Sequence, residues 1–315
     1  MNLNEETRDG YTISSEMKEV WSLELQMTRH VLDVCRRNNL RIWAEGGTLL
    51  GTVRHHGYIP WDDDIDLIMP RKDYDKLVSL ASKEFQHPYF LQCAHTDTEY
   101  YRGHAQVRLD NTAAILETDY FYKFNQGIFI DIFCYDSVPA IADNDWRKRL
   151  KRADEIEHLL GFCSYHFSLF SNPRKAWYRM LYLYYKHTHQ TLALFDEYEN
   201  LFRNSHHDDS PYVWYPTFFR KNPEKTTRKK EWYSETIYMP FEDIEMPVPI
   251  GYADILRLQY GDNFMTPIKT PPMHGGNILF DTRKSYKEYL PMLRKKKNEE
   301  FKRNRISKIK HFLKF

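Results

Sequence analysis

Cysteine is scarce and scattered in this 315-residue chain: Cys35, Cys93, Cys134 and Cys163 lie far apart, and no CxxC pair occurs. That spacing excludes a zinc knuckle and a dithiol redox centre, and the thiols read as free, buried groups of a reducing compartment. An excess of one charge is lacking too. The 45 Lys+Arg stand against 44 Asp+Glu, a formal net charge of +1, so no overall basic field holds nucleic acid and any contact with a polyanion must be local. No run reaches the ~18 to 20 apolar residues of a membrane span. Even 181–185 ends at Lys186, and the first fifteen residues carry Glu5, Glu6 and Asp9 instead of the apolar run of a secretion signal. There is no internal repeat. Together these absences predict a soluble, cytoplasmic protein without a nucleic-acid partner, long enough to bury a sizeable core.

Aromatic residues are abundant, 23 Tyr, 19 Phe and 7 Trp, which supplies core volume and ring faces for a cationic ligand. Val20, Leu23, Met27, Val31 and Val34 recur at steps of three and four, so a helix is expected over Ser15–Arg37. A short strand at 40–44, a glycine turn at Gly46 and Gly47, a helical turn at 48–55 and a strand at 64–68 follow, then a helix at 71–85. Further strands are expected at 89–93, 105–109, 113–117 and 127–133. Two long helical patterns, 145–162 and 173–203, come without a strand signal between them and read as a helical insertion. Strands return at Thr236–Phe241 and 245–248, and a helix at Tyr252–Tyr260 closes a mixed α+β core.

The densest chemical signal is Pro60 to Leu67, PWDDDIDL. In a strand, residues i and i+2 share a face, so Asp64 and Asp66 project together while Ile65 and Leu67 enter the core. Two adjacent carboxylates repel unless a cation sits between them, and Mg²⁺ or Mn²⁺ is the usual partner of such oxygen donors. A calcium loop fails, because Leu67 stands where its glycine is needed. A third acid, Asp131, interrupts the β-branched and aromatic run 127–133, where an unpaired carboxylate is costly. On a neighbouring strand it would complete a three-carboxylate site. Gly46 and Gly47 allow backbone N–H groups to approach phosphate, and Thr48 adds a hydroxyl at the positive end of a helix.

The order of glycine turn, short helix, Asp-x-Asp strand and later lone-Asp strand resembles the nucleotidyltransferase superfold. More narrowly, 46–54 (GGTLLGTVR) followed by 57–67 (GYIPWDDDIDL) is similar to the LicD family of phosphocholine transferases, whose eukaryotic relatives include fukutin and the fukutin-related protein. Asp73 and Tyr74, IDIF at 130–133 and YGD at 260–262 near His274 extend the likeness, while Cys134 and Tyr135 replace the Pro-Leu of many relatives. The resemblance implies a nucleotidyltransferase-like mixed sheet flanked by helices; with the helical patterns it divides the chain into a catalytic core at 14–140, a helical insertion at 141–225 that carries no motif of the family, and the remainder of the core at 226–293.

It also implies an activity: phosphocholine moves from CDP-choline, or a similar phospho-alcohol from a related CDP-alcohol, to a sugar hydroxyl of a glycan or its lipid-linked precursor, and CMP leaves. Asp64, Asp66 and Asp131 would hold the metal, Asp131 would also take the acceptor proton, and Gly46, Gly47 and Thr48 would position phosphate. Arg54 would bring a fixed charge to the diphosphate, with Arg108 and His274 as further binding candidates. Phosphoribitol or phosphoglycerol transfer is the alternative within the fold, and a non-catalytic glycan-binding scaffold the alternative outside catalysis. A quaternary ammonium needs ring faces, for which Trp61, Tyr120, Tyr122, Trp214 and Tyr215 are the candidates. The end of the chain, 294–315, is strongly basic, and Ile306, Ile309, Phe312, Leu313 and Phe315 share one helix face, which suits peripheral contact with an anionic membrane.

Overall fold

The structure, a computed structural model, describes residues 1–139, 144–161, 173–203, 208–215, 227–269 and 278–312. It opens with a hairpin, β1 (Glu6–Arg8) and β2 (Tyr11–Ile13), whose two-residue turn has Asp9 and Gly10 both at positive φ. The first long element, α1 (Ser15–Arg37), matches the expected span because both ends are encoded locally. Ser14 Oγ accepts from Met17 N at 3.2 Å, and Asn38 and Asn39 end it, Asn39 at φ 54°. Its buried stripe includes Val20, Trp21, Met27, Val31 and Val34.

After β3 (Trp43–Ala44) come α2 (Gly46–His55), β4 (Asp66–Pro70), α3 (Arg71–Ser79) and α4 (Ala81–Glu84). The helix expected over 71–85 is therefore broken at Leu80, and the strand expected from Asp64 begins its ladder only at Asp66. Next are β5 (Tyr89–Gln92), β6 (Ala105–Leu109), β7 (Ala113–Leu116) and the eleven-residue β8 (Ile128–Val138). β8 is the centre of a seven-stranded mixed sheet. It pairs in parallel with β4, antiparallel with β6 along its first half, and antiparallel along its second half with β9 (Tyr212–Trp214), which carries β10 (Arg228–Lys229). The sequence reading lacks β9 and β10 and ends β8 at Phe133. A two- or three-residue strand has no period of its own, and here its pairing partner is distant in the chain.

Between β8 and β9 lie α5 (Asn144–Gly161), α6 (Pro173–His187) and α7 (Thr191–Arg203), with His189 at φ 57° breaking what reads as one helix. They share a core of their own, Trp146, Ile156, Leu160, Tyr182, Phe195 and Phe202, closed by Val138 and Trp214 from the sheet. The chain continues through the hairpin β11 (Thr236–Phe241) and β12 (Ile244–Pro249), then α8 (Tyr252–Tyr260), β13 (Ile278–Asp281) against β7, and α9 (Tyr286–Phe312). The basic end is thus continuous with a helix that starts at Tyr286. Two of its cations are held by the body: Arg294 donates to the carbonyls of Tyr120 and Tyr122, and Lys297 binds Glu117. Among the described residues no helix is long and apolar enough to cross a membrane.

Candidate active site

The sheet register builds the site. Asp66 of β4 is the direct partner of Asp131 of β8, and the Asp131 amide donates to Ile65 O at 2.8 Å, so the segment carrying Asp64 runs beside the same strand. Carboxylate oxygens of Asp64, Asp66 and Asp131 all come within 4.8 Å of one another, as do those of Asp62, Asp63 and Asp64. The convergence expected from sequence therefore holds, although Asp64 precedes the strand ladder.

The glycine turn closes one side. Gly46 has φ 53°, and a Cβ there would lie 3.1 Å from Asp66 Oδ2, while one on Gly47 would overlap Asp62 Oδ2. These glycines let the start of α2 come against the carboxylates. Thr48 Oγ1 accepts from the Asp66 amide at 2.8 Å, and Glu45 N donates to Asp66 O at 2.9 Å, so the turn and β4 are tied by two bonds. Glu45 is itself buried. Its carboxylate takes Arg228 Nη1 and Nη2 at 2.6 and 2.5 Å and Gln259 Nε2 at 2.9 Å, and Arg228 also reaches Tyr233 Oη.

Protonation differs across the three acids. Burial, and then the charges of neighbouring carboxylates, push Asp64 and Asp66 well above the usual carboxylate range. Burial also acts on Asp131, but His104, Gln106 and Arg108 outweigh it and hold that carboxyl below its ordinary value. Gln106 Nε2 donates to Asp131 Oδ1 at 2.6 Å, and His104 Nε2 stands 3.4 Å from the same oxygen. His104 Nδ1 is 3.1 Å from Arg102 O, and since a carbonyl only accepts, that bond fixes which ring nitrogen faces Asp131.

An all-oxygen set with two of three acids destabilised by mutual charge fits a hard divalent cation, which would remove that repulsion. Asp64, Asp66 and Asp131 are the residues that could hold it. Two other expected contributors sit differently. Arg54 directs Nη1 to the carbonyls of Phe264 and Thr266, at 2.8 and 3.4 Å, so its charge clasps the loop after α8. Arg108 is enclosed behind the site, donating to Gln92 Oε1, Gly127 O and Gln106 Oε1 at 2.8, 2.7 and 2.5 Å. His274 lies outside the described residues. Four of the five candidate aromatics are divided among three separate cores, and Tyr122 stacks on Phe124. Trp61 and Tyr215 lie on the main core, Trp214 packs with Trp146 and Phe202, and Tyr120 lies against α9. Ring faces near the acids come from Phe133, two residues along β8 from Asp131 and 4.8 Å from His104, and from Tyr215, 5.9 Å from Phe133.

His104, Gln106, Gln92 and Arg228 are absent from the sequence reading. One signal was present: His104, Gln106 and Arg108 alternate with Ala105 and Val107, a polar face on an otherwise apolar strand. No local pattern marks Arg228, whose partner Glu45 is 183 residues away.

Known proteins resemble the segment that carries this site. Residues 39–160 match the family described as LicD/FKTN/FKRP, nucleotidyltransferase domain. The chain is 27% identical over 276 residues to lipopolysaccharide cholinephosphotransferase LicD of Haemophilus influenzae, covering 80% of this chain and 94% of that protein. An uncharacterised protein of Rickettsia prowazekii is 40% identical over 96 residues, 30% of this chain and 33% of the relative. Human ribitol 5-phosphate transferase FKRP is 39% identical over 59 residues, 19% of this chain and 12% of the relative. The segment similar to the LicD/FKTN/FKRP nucleotidyltransferase domain, residues 39–160, carries all three converging carboxylates and the glycine turn against them.

Proposed function

We propose that this protein transfers a phospho-alcohol, phosphocholine in the first instance, from a CDP-alcohol to a sugar hydroxyl of a cell-surface glycan or its lipid-linked precursor. The observation that carries the reading is the meeting of Asp64, Asp66 and Asp131 beside the Gly46–Gly47 turn. The choice of choline is supported by the cholinephosphotransferase relative, which this chain matches over 94% of its length.

Mg²⁺ or Mn²⁺ held by the three carboxylates would neutralise charge on the donor diphosphate. The chain's own residues do the rest by positioning. Backbone N–H groups at the start of α2 face the phosphates, and Glu45, fixed by Arg228 and Gln259, anchors that turn. Asp131, kept ionised, accepts the proton of the acceptor hydroxyl. The acceptor oxygen then bonds to the phosphorus that bears the alcohol, the bond from that phosphorus to CMP breaks, and CMP leaves with the electron pair. Phe133 and Tyr215 offer ring faces for the quaternary ammonium. The reading also includes peripheral contact of the basic end, 294–315, with an anionic membrane.

The identity to FKRP, confined to 59 residues, supports a second reading in which the donor is CDP-ribitol. Incubation with Mg²⁺ and CDP-choline, CDP-ribitol or CDP-glycerol, scoring CMP release with and without candidate glycans, separates them. CDP-choline turnover that disappears in Asp66→Asn is the expected result. Preference for CDP-ribitol moves the assignment to a polyol, and no CMP from any donor, with glycan binding intact, makes the protein a scaffold.

A further inference from the structure

A cavity of about 900 Å³ opens where the core meets the helical insertion, away from the three acids. The ends of β4 and β8 and the start of α3 form its core side, α7 contributes Phe202 and Arg203, and β9 and β10 contribute Tyr212 and Lys229. Asp66 and Asp131 pair at one end of the ladder between β4 and β8, and Pro70 and Tyr135 pair at the other, four residues and about 13 Å along. Clefts between two packed units are common ligand sites, and this volume is far more than a lone ion needs.

Most charges around the cavity answer one another. Arg71 Nε and Nη2 donate to Asp136 at 2.9 and 2.8 Å and Nη1 to Glu199 at 3.0 Å, while Arg203 Nε and Nη2 donate to Asp75 at 3.1 and 2.9 Å. Lys229 stands 3.3 Å from Glu231. Both guanidiniums are thus matched to carboxylates, which an incoming anion would have to displace. What remains is a mixed set. Tyr135 is 7% exposed, lines the cavity and has no hydrogen-bond partner for its hydroxyl among the described residues. A buried hydroxyl left unmet costs about 1–3 kcal/mol, so this one calls for a partner that the chain does not supply. Lys72 and the Asp208 carboxylate line the cavity too, both exposed and neither in an ion pair among the described residues. Ring faces are at hand, since Tyr135 and Tyr233 lie 4.7 Å apart between centroids and both line the cavity.

A neutral polyhydroxylated ring matches this set. Its hydroxyls both donate and accept, so they can meet a phenol, an ammonium and a carboxylate together, while its C–H faces lie on aromatic rings. An anion would face Asp208 and the paired carboxylates, and an apolar ligand would leave Tyr135 unmet. We propose that this cavity binds a neutral sugar unit of a glycan, with Tyr135 and Lys72 donating to its hydroxyls and Asp208 accepting from them. This goes beyond the transferase reading and does not depend on it, because the unit held here lies about 13 Å along the sheet from the acids and is not the one that would react.

Calorimetry of the full chain with the methyl glycosides of glucose, galactose, N-acetylglucosamine and N-acetylgalactosamine tests it. At least one should bind, and inorganic phosphate should not compete. Tyr135→Phe removes a single oxygen and should weaken binding about three- to tenfold with the melting temperature kept, and adding Lys72→Met should weaken it further. The proposal is overturned if none of the glycosides binds, if the double variant binds as the unaltered chain does, or if phosphate displaces the glycoside, which would make the cavity an anion site. A higher KM in the double variant for an acceptor of several sugars assigns the unit to the acceptor chain, and an unchanged KM beside weakened glycoside binding assigns it to a separate glycan; both keep the proposal. CMP release with a single-sugar acceptor should be equal in variant and unaltered chain, so loss of this site and failure of the transferase reading are separate results.

Discussion

Gln106 Nε2 lies 2.6 Å from Asp131 Oδ1, and the amide is held in that orientation because Arg108 Nη2 occupies Gln106 Oε1 at 2.5 Å. A guanidinium only donates, so the amide oxygen must face Arg108 and the NH₂ group must face Asp131. Arg108 does the same on its other side, where Gln92 accepts from Nε and passes its own NH₂ to Asp97 at 2.7 Å. The pairing register sets Gln92, Gln106, Asp131 and Asp66 in one row across β5, β6, β8 and β4. A positive charge thereby favours ionised Asp131 without forming a salt bridge that would compete for its oxygens. Gln106→Leu should lower kcat about 10- to 100-fold while leaving KM for the donor nearly unchanged, since Gln106 meets Asp131 and Arg108 in this network. Steady-state CMP release gives both constants, and Mn²⁺ affinity by EPR is the readout independent of turnover. Unchanged kcat in a folded variant would show that the relay does not act on Asp131.

Asp66→Asn should reduce turnover by about 10³-fold and yet stabilise the metal-free protein at neutral pH. The sign follows from the direction of the shift. Burial and neighbouring acids raise the folded-state value of Asp66 well above 3.8, so its contribution to stability is fully present below 3.8 and is lost as pH rises toward the folded value. Asn cannot ionise and avoids that loss. Melting curves in EDTA at acid and neutral pH check it: the two proteins should melt together in acid, with the variant higher near pH 7.

Glu24 offers a second case, away from the reaction itself. It is buried, and Tyr58 Oη stands 3.0 Å from Glu24 Oε2 and 3.2 Å from Trp21 O. The single Tyr58 proton is shared between these two acceptors, the Glu24 carboxylate being the nearer. Burial raises that carboxyl well above 4.5, with Tyr58 opposing and Asp62 and Asp63 adding to the rise. Stability from this group is full below 4.5 and falls as pH rises, so Glu24→Gln should flatten the alkaline side of the stability profile. Identical profiles for both proteins between pH 5 and 9 would disprove it.

Arg228 and Glu45 form an enclosed ion pair, with side chains 1% and 3% exposed. Removing one partner strands the other charge, so Arg228→Met should destabilise the fold by about 3–5 kcal/mol. Adding Glu45→Met should recover part of that loss, because two apolar groups then replace two charges. Denaturant unfolding of the single and double variants measures the difference, and a double variant less stable than Arg228→Met would contradict it. Activity should stay low in both, since Glu45 sets the turn before Gly46.

The elements that the sequence specified are those whose signals are local. α1 carries its own cap and stripe, β6, β11 and α8 have the expected bounds, and the alternation around Asp66 and Asp131 places each acid among strand residues pointing inward. Carboxylates embedded in branched apolar runs must meet a cation or donors, so the residue types alone predicted that the three acids converge, and the structure sets the glycine turn against them. Tertiary structure decided everything that depends on register and on distant partners. It placed Gln106 opposite Asp131, carried Arg228 to Glu45 across 183 residues, turned Arg54 to the loop after α8, and distributed Trp61, Tyr120, Trp214 and Tyr215 over separate cores. The physical reason is range: capping, helical period and strand alternation act over a few residues, whereas hydrogen-bond pairing between strands and the burial of a charge against its partner have no sequence period and exist only once the chain has closed on itself.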